Sequence, residues 1–444
     1  MNFRKLLPFL LVPFFIKILI SYFTPIVGDE AYYWFWSQNL QLSYFDHPAM
    51  IAWILKISHE ISKFVHISDS LGLRLSTIFI STYTFYIWSK IFNFENDKSK
   101  QSVFLFTCFY MLNPLLGFGG IIATPDIPLM LFWALSALTI KKIIQHHRSL
   151  DYALLGLFLG LGFCSKYHIV LFPITYLAYF LINKKISQFH LKKVVLSLLF
   201  GFIFSMPVLI WNYQNDFSSF RFQLSHGLGS SENISQYDWL WTTSYLLGQV
   251  IIFNPVLIYE LIIRVKNNFS KSLSIYQWLF FIYSSFKAKV EANWPIVSHA
   301  QALQSLNYNN IKIVRWAFTY WIVVWLTIVG LFFTPLGQKK IQALPTSLTV
   351  EDIYPKIKSY SPLYGPTYQM SSLISLMTDL KVPKLPGLSR YDFFDAVIET
   401  PIDPKFYVIK YESTSWPNQY NSYKKTKLES FEKYKLELYE LVNE

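Results

Sequence analysis

Residues 28–53 read GDEAYYWFWSQNLQLSYFDHPAMIAW and directly follow the first long apolar run of the chain. This connection carries Asp29, Glu30 and Asp46 among many aromatic residues. An ionised group at the centre of a membrane helix costs about 2.5 to 3.5 kcal/mol unless it faces water or a partner. Because acids beside an apolar run carry this cost, their presence makes the connection the first candidate for a functional site.

The composition is that of a membrane protein with several spans. The 444 residues are 53% hydrophobic and only 15% charged, whereas about a quarter of a soluble domain is charged. The net charge of +12 would suggest a nucleic-acid partner in a soluble protein. Here the basic residues recur in short clusters between apolar runs, as the positive-inside rule requires. We therefore predict that membrane lipid surrounds the protein and that it does not bind nucleic acid.

A span needs about 20 apolar residues, and this rule predicts a polytopic all-α bundle of about eleven helices. The predicted spans are roughly 6–24, 68–92, 101–121, 127–141, 150–164, 169–182, 194–211, 239–262, 275–286, 294–305 and 316–333.

Charge predicts which connections face the cytoplasm. The basic clusters on alternate connections are Lys90, Lys98 and Lys100; Lys141, Lys142 and Arg148; Lys184, Lys185, Lys192 and Lys193; Arg264, Lys266 and Lys271; Lys312 and Arg315. The opposite connections, predicted to be extracytoplasmic, are 25–67, 122–127, 165–168, 212–238 and 287–293. Within the first of these, AYYWFWSQ and HPAMIAWILKISHEISKF have the spacing of helices that lie in the membrane interface.

Hydropathy falls near residue 336, which predicts a transmembrane catalytic domain at 1–335 and an extracytoplasmic soluble domain at 336–444. Short strand-like runs and a helix near 367–380 predict a small α/β or α+β fold for this tail. The final stretch, YKKTKLESFEKYKLELYELVNE from residue 423, alternates Lys and Glu. At helical spacing that pattern is typical of a solvated helix.

The Asp29-Glu30 pair has two interpretations. One acid could face a cavity and act as a general base at the membrane surface. Alternatively, the pair could be an acidic helix cap, because Asp at the start of a helix and Glu in its first turn are common.

The segment SYFDHP places Asp46 and His47 directly before Pro48. Pro48 restricts the backbone of His47 to extended conformations, so this acid and imidazole could hold a metal ion or bind a phosphate. They could equally cap a helix that begins at Pro48. Asp126 lies between two prolines in ATPDIP, where it could line a cavity or serve as an N-cap.

Cations on the predicted extracytoplasmic side point to an anionic ligand. They are Lys166 with His168, Arg221 with His226, and Lys287 with Lys289. Basic residues next to lipid headgroups are ordinary, but these oppose the positive-inside bias and lie beside aromatic residues and acids. Such cations suit a lipid phosphate. A divalent metal ion is possible, with Asp46 and His226 as its candidate ligands, but two ligands are too few to define a site.

Taken together, these motifs resemble the bacterial members of the dolichyl-phosphate-mannose protein mannosyltransferase superfamily. The resemblance covers about residues 20–300 and rests on GDEAYYW, LSYFDHP, TPD, GLGFCSKYH, PVLIWNYQNDFSSFRFQLSHG and EANWP. YGPTYQMSSLISLM and RYDFF resemble the family's tail more faintly. The family has the GT-C fold and includes the lipid A aminoarabinose transferases.

The resemblance implies a glycosyltransferase of the bacterial inner membrane, with a polyprenyl-phosphate-linked sugar as donor and a glycolipid or glycan as acceptor. Asp29 would be the base and Glu30 its catalytic neighbour, with Asp46 and Asp126 as cavity acids. His47, Lys166, Arg221 and Lys287 would contact the donor phosphate. The aminoarabinose transferases have Glu-Lys where this chain has Asp46-His47, and a neutral imidazole is the poorer partner for an anion.

Three other functions fit the same residues. A transporter or flippase of lipid-linked sugars also needs outward cations, although transporters usually carry ionisable groups near the bilayer midplane on broken helices. A protein O-glycosyltransferase would use the same donor chemistry. A catalytically silent assembly subunit would not depend on Asp29.

Overall fold

The computed structural model describes residues 3–94, 99–229, 237–266, 268–335, 337, 344–378, 380–397 and 403–443. The described chain is mostly helical, with one small sheet near its end. It divides into two compact units. The first contains residues 1–21, 42–54 and 74–325, and the second contains residues 22–41, 55–73 and 326–444.

Fifteen helices precede residue 335 in the described chain. They are α1 (Phe3–Phe23), α2 (Gly28–Gln38), α3 (Met50–Val65), α4 (Asp69–Phe94), α5 (Lys100–Leu112), α6 (Asp126–His146), α7 (Ser149–Phe163), α8 (Leu171–Ile182), α9 (Leu191–Gln214), α10 (Ser218–Leu228), α11 (Trp239–Phe253), α12 (Pro255–Tyr259), α13 (Phe269–Ser285), α14 (Ile296–Ser305) and α15 (Ile311–Phe332).

Each of the eleven apolar runs contains a helix, and the chain is an integral membrane protein. Among the described residues, α6, α9 and α15 are long and apolar enough to cross a membrane. A fourth span results if α11 is joined to the helix that follows it. The other helices do not meet both conditions, and several are short, such as α14 with ten residues. The number of spans and their orientation therefore stay predictions.

Helices α7 and α9 pack closely in the first unit because glycines face the contact. A Cβ at Gly156 would lie 2.3 Å from the backbone oxygen of Ser197, and one at Gly160 would lie 2.7 Å from the oxygen of Gly201. Small residues at this spacing let two membrane helices approach until their backbones touch.

A sharp bend of 95° separates α11 from the helical segment that runs from Pro255 to Arg264. Asn254 at the bend has φ +92°. Its side chain accepts a hydrogen bond from Val256 N at 3.0 Å and donates one to the carbonyl oxygen of Ala317 at 3.1 Å. The side chain thus caps the first turn after the bend and links the bend to α15.

The second unit contains the chain's sheet and three more helices, α16 (Ser347–Ile357), α17 (Tyr368–Met377) and α18 (Phe393–Val397). The strands are β1 (Leu363–Tyr364), β2 (Lys405–Tyr411), β3 (Tyr423–Phe431) and β4 (Leu436–Asn443), in the order β1-β2-β4-β3. The predicted tail helix near 367–380 is confirmed by α17. The domain boundary at 335/336 and the tail's extracytoplasmic position stay predictions, and residues 336 and 338–343 lie outside the described chain.

The predicted helix in the last stretch is wrong. Residues from Tyr423 form the antiparallel hairpin β3-β4, in which Phe431 pairs with Leu436. Leu436, Leu438 and Leu441 are fully buried, whereas Glu437, between the first two, is only half-buried. Alternation of buried and exposed side chains is the period of a strand, and burial of these leucines outweighs the helical spacing of the charges.

Candidate functional site

Asp126 is the centre of a buried polar cluster in the first unit. It is the first residue of α6 and is 4% exposed. Lys166 Nζ lies 2.7 Å from its Oδ1, and Asn293 Nδ2 donates to its Oδ2 at 2.6 Å. Both carboxylate oxygens are therefore bonded. This arrangement stabilises the negative charge away from bulk water.

Lys166 reaches Asp126 because the chain turns sharply after α7. Its backbone is extended, with φ −159°, and a short 3₁₀ turn, Tyr167–Val170, follows it. Ser219 Oγ and the hydroxyl of Tyr167 are 2.8 Å apart, which ties this turn to α10. The predicted cation and the predicted cavity acid thus form one ion pair.

The SYFDHP segment forms a tight turn beside α10. Ser43 and Pro48 form an isolated bridge, and Tyr44 N donates to the carbonyl oxygen of His47 at 3.2 Å. Gln223 of α10 donates to the backbone oxygen of Asp46. The same amide nitrogen lies 3.4 Å from His47 Nδ1. The Asp46 side chain is 4% exposed and His47 is half-buried.

An apolar cavity of about 500 Å³ adjoins these segments. Aromatic and aliphatic side chains from α7, α8, α10 and α13 line most of it, together with the polar groups His168, Gln223 and Ser284. Trp294 also lines it, and its ring lies between two imidazoles, 5.3 Å from His168 and 5.5 Å from His226. A cavity of this composition suits a hydrocarbon chain that carries a polar head.

The other two predicted phosphate contacts are exposed. The guanidinium of Arg221 donates to the backbone oxygen of Asp216, five residues earlier. Lys287 Nζ lies 5.1 Å from the ring centroid of Tyr283. Each therefore contacts its own segment, and a role in binding phosphate stays a prediction for both.

Asp29 and Glu30 lie in the first turn of α2 in the second unit, and their side chains differ in exposure. Glu30 is fully buried, and its Oε2 accepts a hydrogen bond from Val27 N at 3.2 Å. This contact is a helix cap, which is one of the two roles that the sequence allowed for the acidic pair. Asp29 is exposed, and its Oδ1 lies 3.4 Å from Nε2 of Gln369. Of the pair, Asp29 is the acid that a substrate can reach.

The tail packs directly against the helix that carries Asp29. A Cβ at Gly28 would lie only 2.4 Å from Cβ of Gln369, so the contact between α2 and α17 requires glycine there. The rings of Tyr32 and Tyr368 are 4.4 Å apart. Phe393 N also donates to the hydroxyl of Tyr32 at 3.0 Å. Contacts with the tail therefore help to determine where α2 lies within this unit.

Metal ligands do not cluster in the described part of the chain: no three His, Cys, Asp or Glu side chains there could hold a metal ion together. Asp46 and His226 remain a predicted pair.

Three amides were missed by sequence reasoning. Asn293, Gln223 and Gln369 lie inside the quoted segments EANWP, RFQLSHG and YGPTYQM, yet only the charged residues were selected. Their position within these motifs could have identified them, although they carry no charge.

Known proteins resemble this chain in sequence over part of its length and in fold over nearly all of it. The family model described as dolichyl-phosphate-mannose-protein mannosyltransferase matches residues 46–211. A relative, lipid A galacturonosyltransferase RgtD from Rhizobium johnstonii, is 25% identical over 285 residues, which is 61% of this chain. The match spans 58% of that relative's length.

The fold is shared along nearly the whole chain with ArnT from Cupriavidus metallidurans bound to undecaprenyl phosphate. The TM-score is 0.62 at 11% identity, with 99% of this chain and 98% of that chain covered. The apo state of ArnT gives the same TM-score over 98% of this chain. The predicted GT-C fold is thereby confirmed, and the chain is related to the GT-C membrane glycosyltransferases that include enzymes modifying lipid A.

Proposed function

We propose that this protein is a membrane glycosyltransferase. It transfers a hexose or pentose from undecaprenyl phosphate or a similar polyprenyl phosphate to an extracytoplasmic acceptor, lipid A or another envelope glycan. The names of its relatives support this substrate class, since one is a lipid A galacturonosyltransferase and another was solved with undecaprenyl phosphate.

The observation that carries the proposal is the convergence of separate motifs on the apolar cavity. Lys166 and Asn293 bind Asp126, and Gln223 binds Asp46. The hydrogen bond between Tyr167 and Ser219 of α10 joins these two groups. Trp294, next to Asn293, and His168, two residues after Lys166, line the cavity. A polyprenyl chain can therefore occupy the apolar walls while its phosphate lies near basic and amide groups.

The proposed reaction is an inverting displacement. The acceptor hydroxyl oxygen forms a bond to the anomeric carbon and loses its proton to the Asp29 carboxylate. The bond from that carbon to the phosphate oxygen breaks, and its electron pair leaves with the polyprenyl phosphate. Asp29 suits the base because it is exposed and sits at the start of a helix, where partial positive charge favours a carboxylate anion.

The leaving phosphate gains negative charge, so cations around it stabilise the transition state more than the ground state. His47, Lys166, Arg221 and Lys287 are the proposed contacts. Lys166 has three N–H donors, and the bond to Asp126 uses one of them. The ion pair can therefore orient the ammonium group while its other donors bind phosphate.

The test is transfer by purified Asp29→Asn from a panel of undecaprenyl-phosphate sugars to lipid A. Loss of at least about 100-fold in kcat is expected for removal of a general base. Asp352→Asn is the matched control because Asp352 is an exposed acid in the second unit. Wild-type transfer by Asp29→Asn would exclude the proposed role, and mass spectra of lipid A from a deletion strain would identify the sugar.

A further inference from the structure

A second cavity, of about 300 Å³, lies at the opposite end of α6 from Asp126, where α6 and α8 end. Lys141 and Gln145 of α6 line it, together with Lys185 and Gln188 from the connection after α8. Tyr179, Phe180 and Phe269 supply its aromatic walls. The cavity thus combines two ammonium groups and two amides with an apolar floor.

The aromatic floor is well packed. Phe269, at the start of α13, lies 4.8 Å from the ring of Tyr179 and 5.7 Å from that of Phe180. Lys185 Nζ lies 5.7 Å from the Tyr179 ring centroid, and its backbone nitrogen donates to the oxygen of Phe180 at 2.7 Å. Packing therefore holds the stem of Lys185 at the rim of the cavity.

Charge around this cavity is almost entirely positive. In the connections 141–151 and 183–193, Asp151 is the only acid. The basic residues there are Lys141, Lys142, Arg148, Lys184, Lys185, Lys192 and Lys193. Opposite charges attract, so an anion in the cavity is favoured by Lys141 and Lys185, which line it. These connections are also the ones predicted to face the cytoplasm.

The neighbouring surface is apolar. Leu177, Leu181 and Ile182 of α8 are 51%, 54% and 68% exposed, and they adjoin the cavity through Tyr179 and Phe180. In an integral membrane protein such side chains face acyl chains. A ligand that enters between these groups therefore meets positive charge at one end and hydrocarbon at the other.

We propose that this cavity binds the phosphate headgroup of an anionic membrane phospholipid, whose acyl chains lie along α8. Lys141 and Lys185 bind the phosphate, and Gln145 and Gln188 donate to its oxygens. Basic pockets between membrane helices on the cytoplasmic side bind anionic headgroups by the same chemistry. This site is separate from the proposed donor site and does not depend on the proposed reaction.

The test uses the full-length protein in a neutral detergent, with thermal unfolding followed as phosphatidylglycerol is added. The midpoint should rise by several degrees with phosphatidylglycerol and much less with phosphatidylcholine. Lys185→Gln, at an exposed residue, should lose most of the shift, and the double variant with Lys141→Gln should lose all of it. Lys192→Gln, an exposed lysine that does not line the cavity, should keep it.

Three results would overturn the proposal. An equal shift with phosphatidylcholine would mean that headgroup charge is not recognised. The full shift with inorganic phosphate alone would mean a site for a soluble anion instead of a lipid. A lower midpoint for Lys185→Gln with an unchanged lipid shift would mean that the lysine only complements the carbonyl ends of the helices.

Discussion

Lys166 Nζ and Asp126 Oδ1 are 2.7 Å apart, and each side chain is only 6% exposed. Asn293 holds the second carboxylate oxygen. Breaking a buried ion pair by removing one partner typically costs about 3–5 kcal/mol, because the other charge stays buried alone. Replacing both partners costs much less.

A comparison of single and double variants can therefore distinguish a role in folding from a role in catalysis. Lys166→Met and Asp126→Asn should each lower the unfolding midpoint in detergent, and the double variant should recover most of that loss. Transfer should stay absent in the double variant, because the proposed reaction needs the Lys166 ammonium at the phosphate. A double variant that regains both stability and transfer would limit Lys166 to a structural role.

Gly28→Ala should detach α17 from α2. The added Cβ would lie 2.4 Å from Gln369 Cβ and 3.3 Å from its Cα, so the two helices must separate, at a cost of about 1–3 kcal/mol. We expect transfer to fall by about 10-fold or more. Gly330→Ala is the control, since a Cβ there meets nothing within 4 Å. Equal activity in both variants would contradict the importance of this packing.

Gln369→Leu keeps the volume at the same contact and removes the amide that lies 3.4 Å from Asp29. If Gln369 orients the proposed base, kcat should fall while KM for the donor changes little. Gln419→Leu removes another amide of the tail, one that donates to Pro386 O at 3.0 Å, and should leave kcat unchanged. A rise in KM alone would assign Gln369 to substrate binding.

Gly156→Ala and Gly160→Ala should each weaken the contact between α7 and α9. Their Cβ atoms would meet backbone oxygens, which cannot rotate away as a side chain can. The expected loss is about 1–3 kcal/mol each, seen as a lower unfolding midpoint. Gly248→Ala, with open space around its Cβ, should have no such effect, and similar midpoints for all three would refute the packing argument.

Asp392 should make the tail less stable as pH rises. It is fully buried beside Lys384 and Asp395, and burial raises its pKa from 3.8 to about 6, although Lys384 opposes the rise. Between pH 4 and 6 the folded protein then binds more protons than the unfolded chain. Stability from this group is therefore present at low pH and is lost as pH rises through 6, by about 3 kcal/mol.

Hydrogen exchange of the β2 and β4 amides between pH 4 and 7 measures this loss. Asp392→Asn should flatten the dependence after correction for the intrinsic exchange rate. Asp352→Asn should leave it in place, because hydrogen bonds from Lys433 and Tyr434 lower the pKa of Asp352. An increase in the stability of the wild-type tail with rising pH would contradict this prediction.

The sequence predicted the helical elements because apolar runs long enough to approach a span have few alternatives in a membrane. It did not predict the hairpin β3-β4. Leu438 and Leu441 are three residues apart, which fits a helix, and only pairing with β2 and β3 selects the strand. Such pairing is invisible in a single segment.

The candidate site was predicted as a set of charged residues, and the structure shows how unequal they are. Asp126 and Lys166 are paired and buried, whereas Arg221 and Lys287 are exposed. Composition cannot separate these cases, because burial depends on which helices pack together. The amides Asn293 and Gln223 were overlooked for the same reason: a neutral side chain is distinctive only when its partner is known.

The contact between Asp29 and Gln369 joins residues that are 340 positions apart in sequence. During synthesis, Asp29 leaves the ribosome long before the segment that completes its surroundings. A nascent or prematurely terminated chain would therefore insert its first helices before Gln369 can contact Asp29. The proposed base therefore gains its amide partner only after synthesis has passed residue 369, so the proposed transfer would depend on synthesis of the tail.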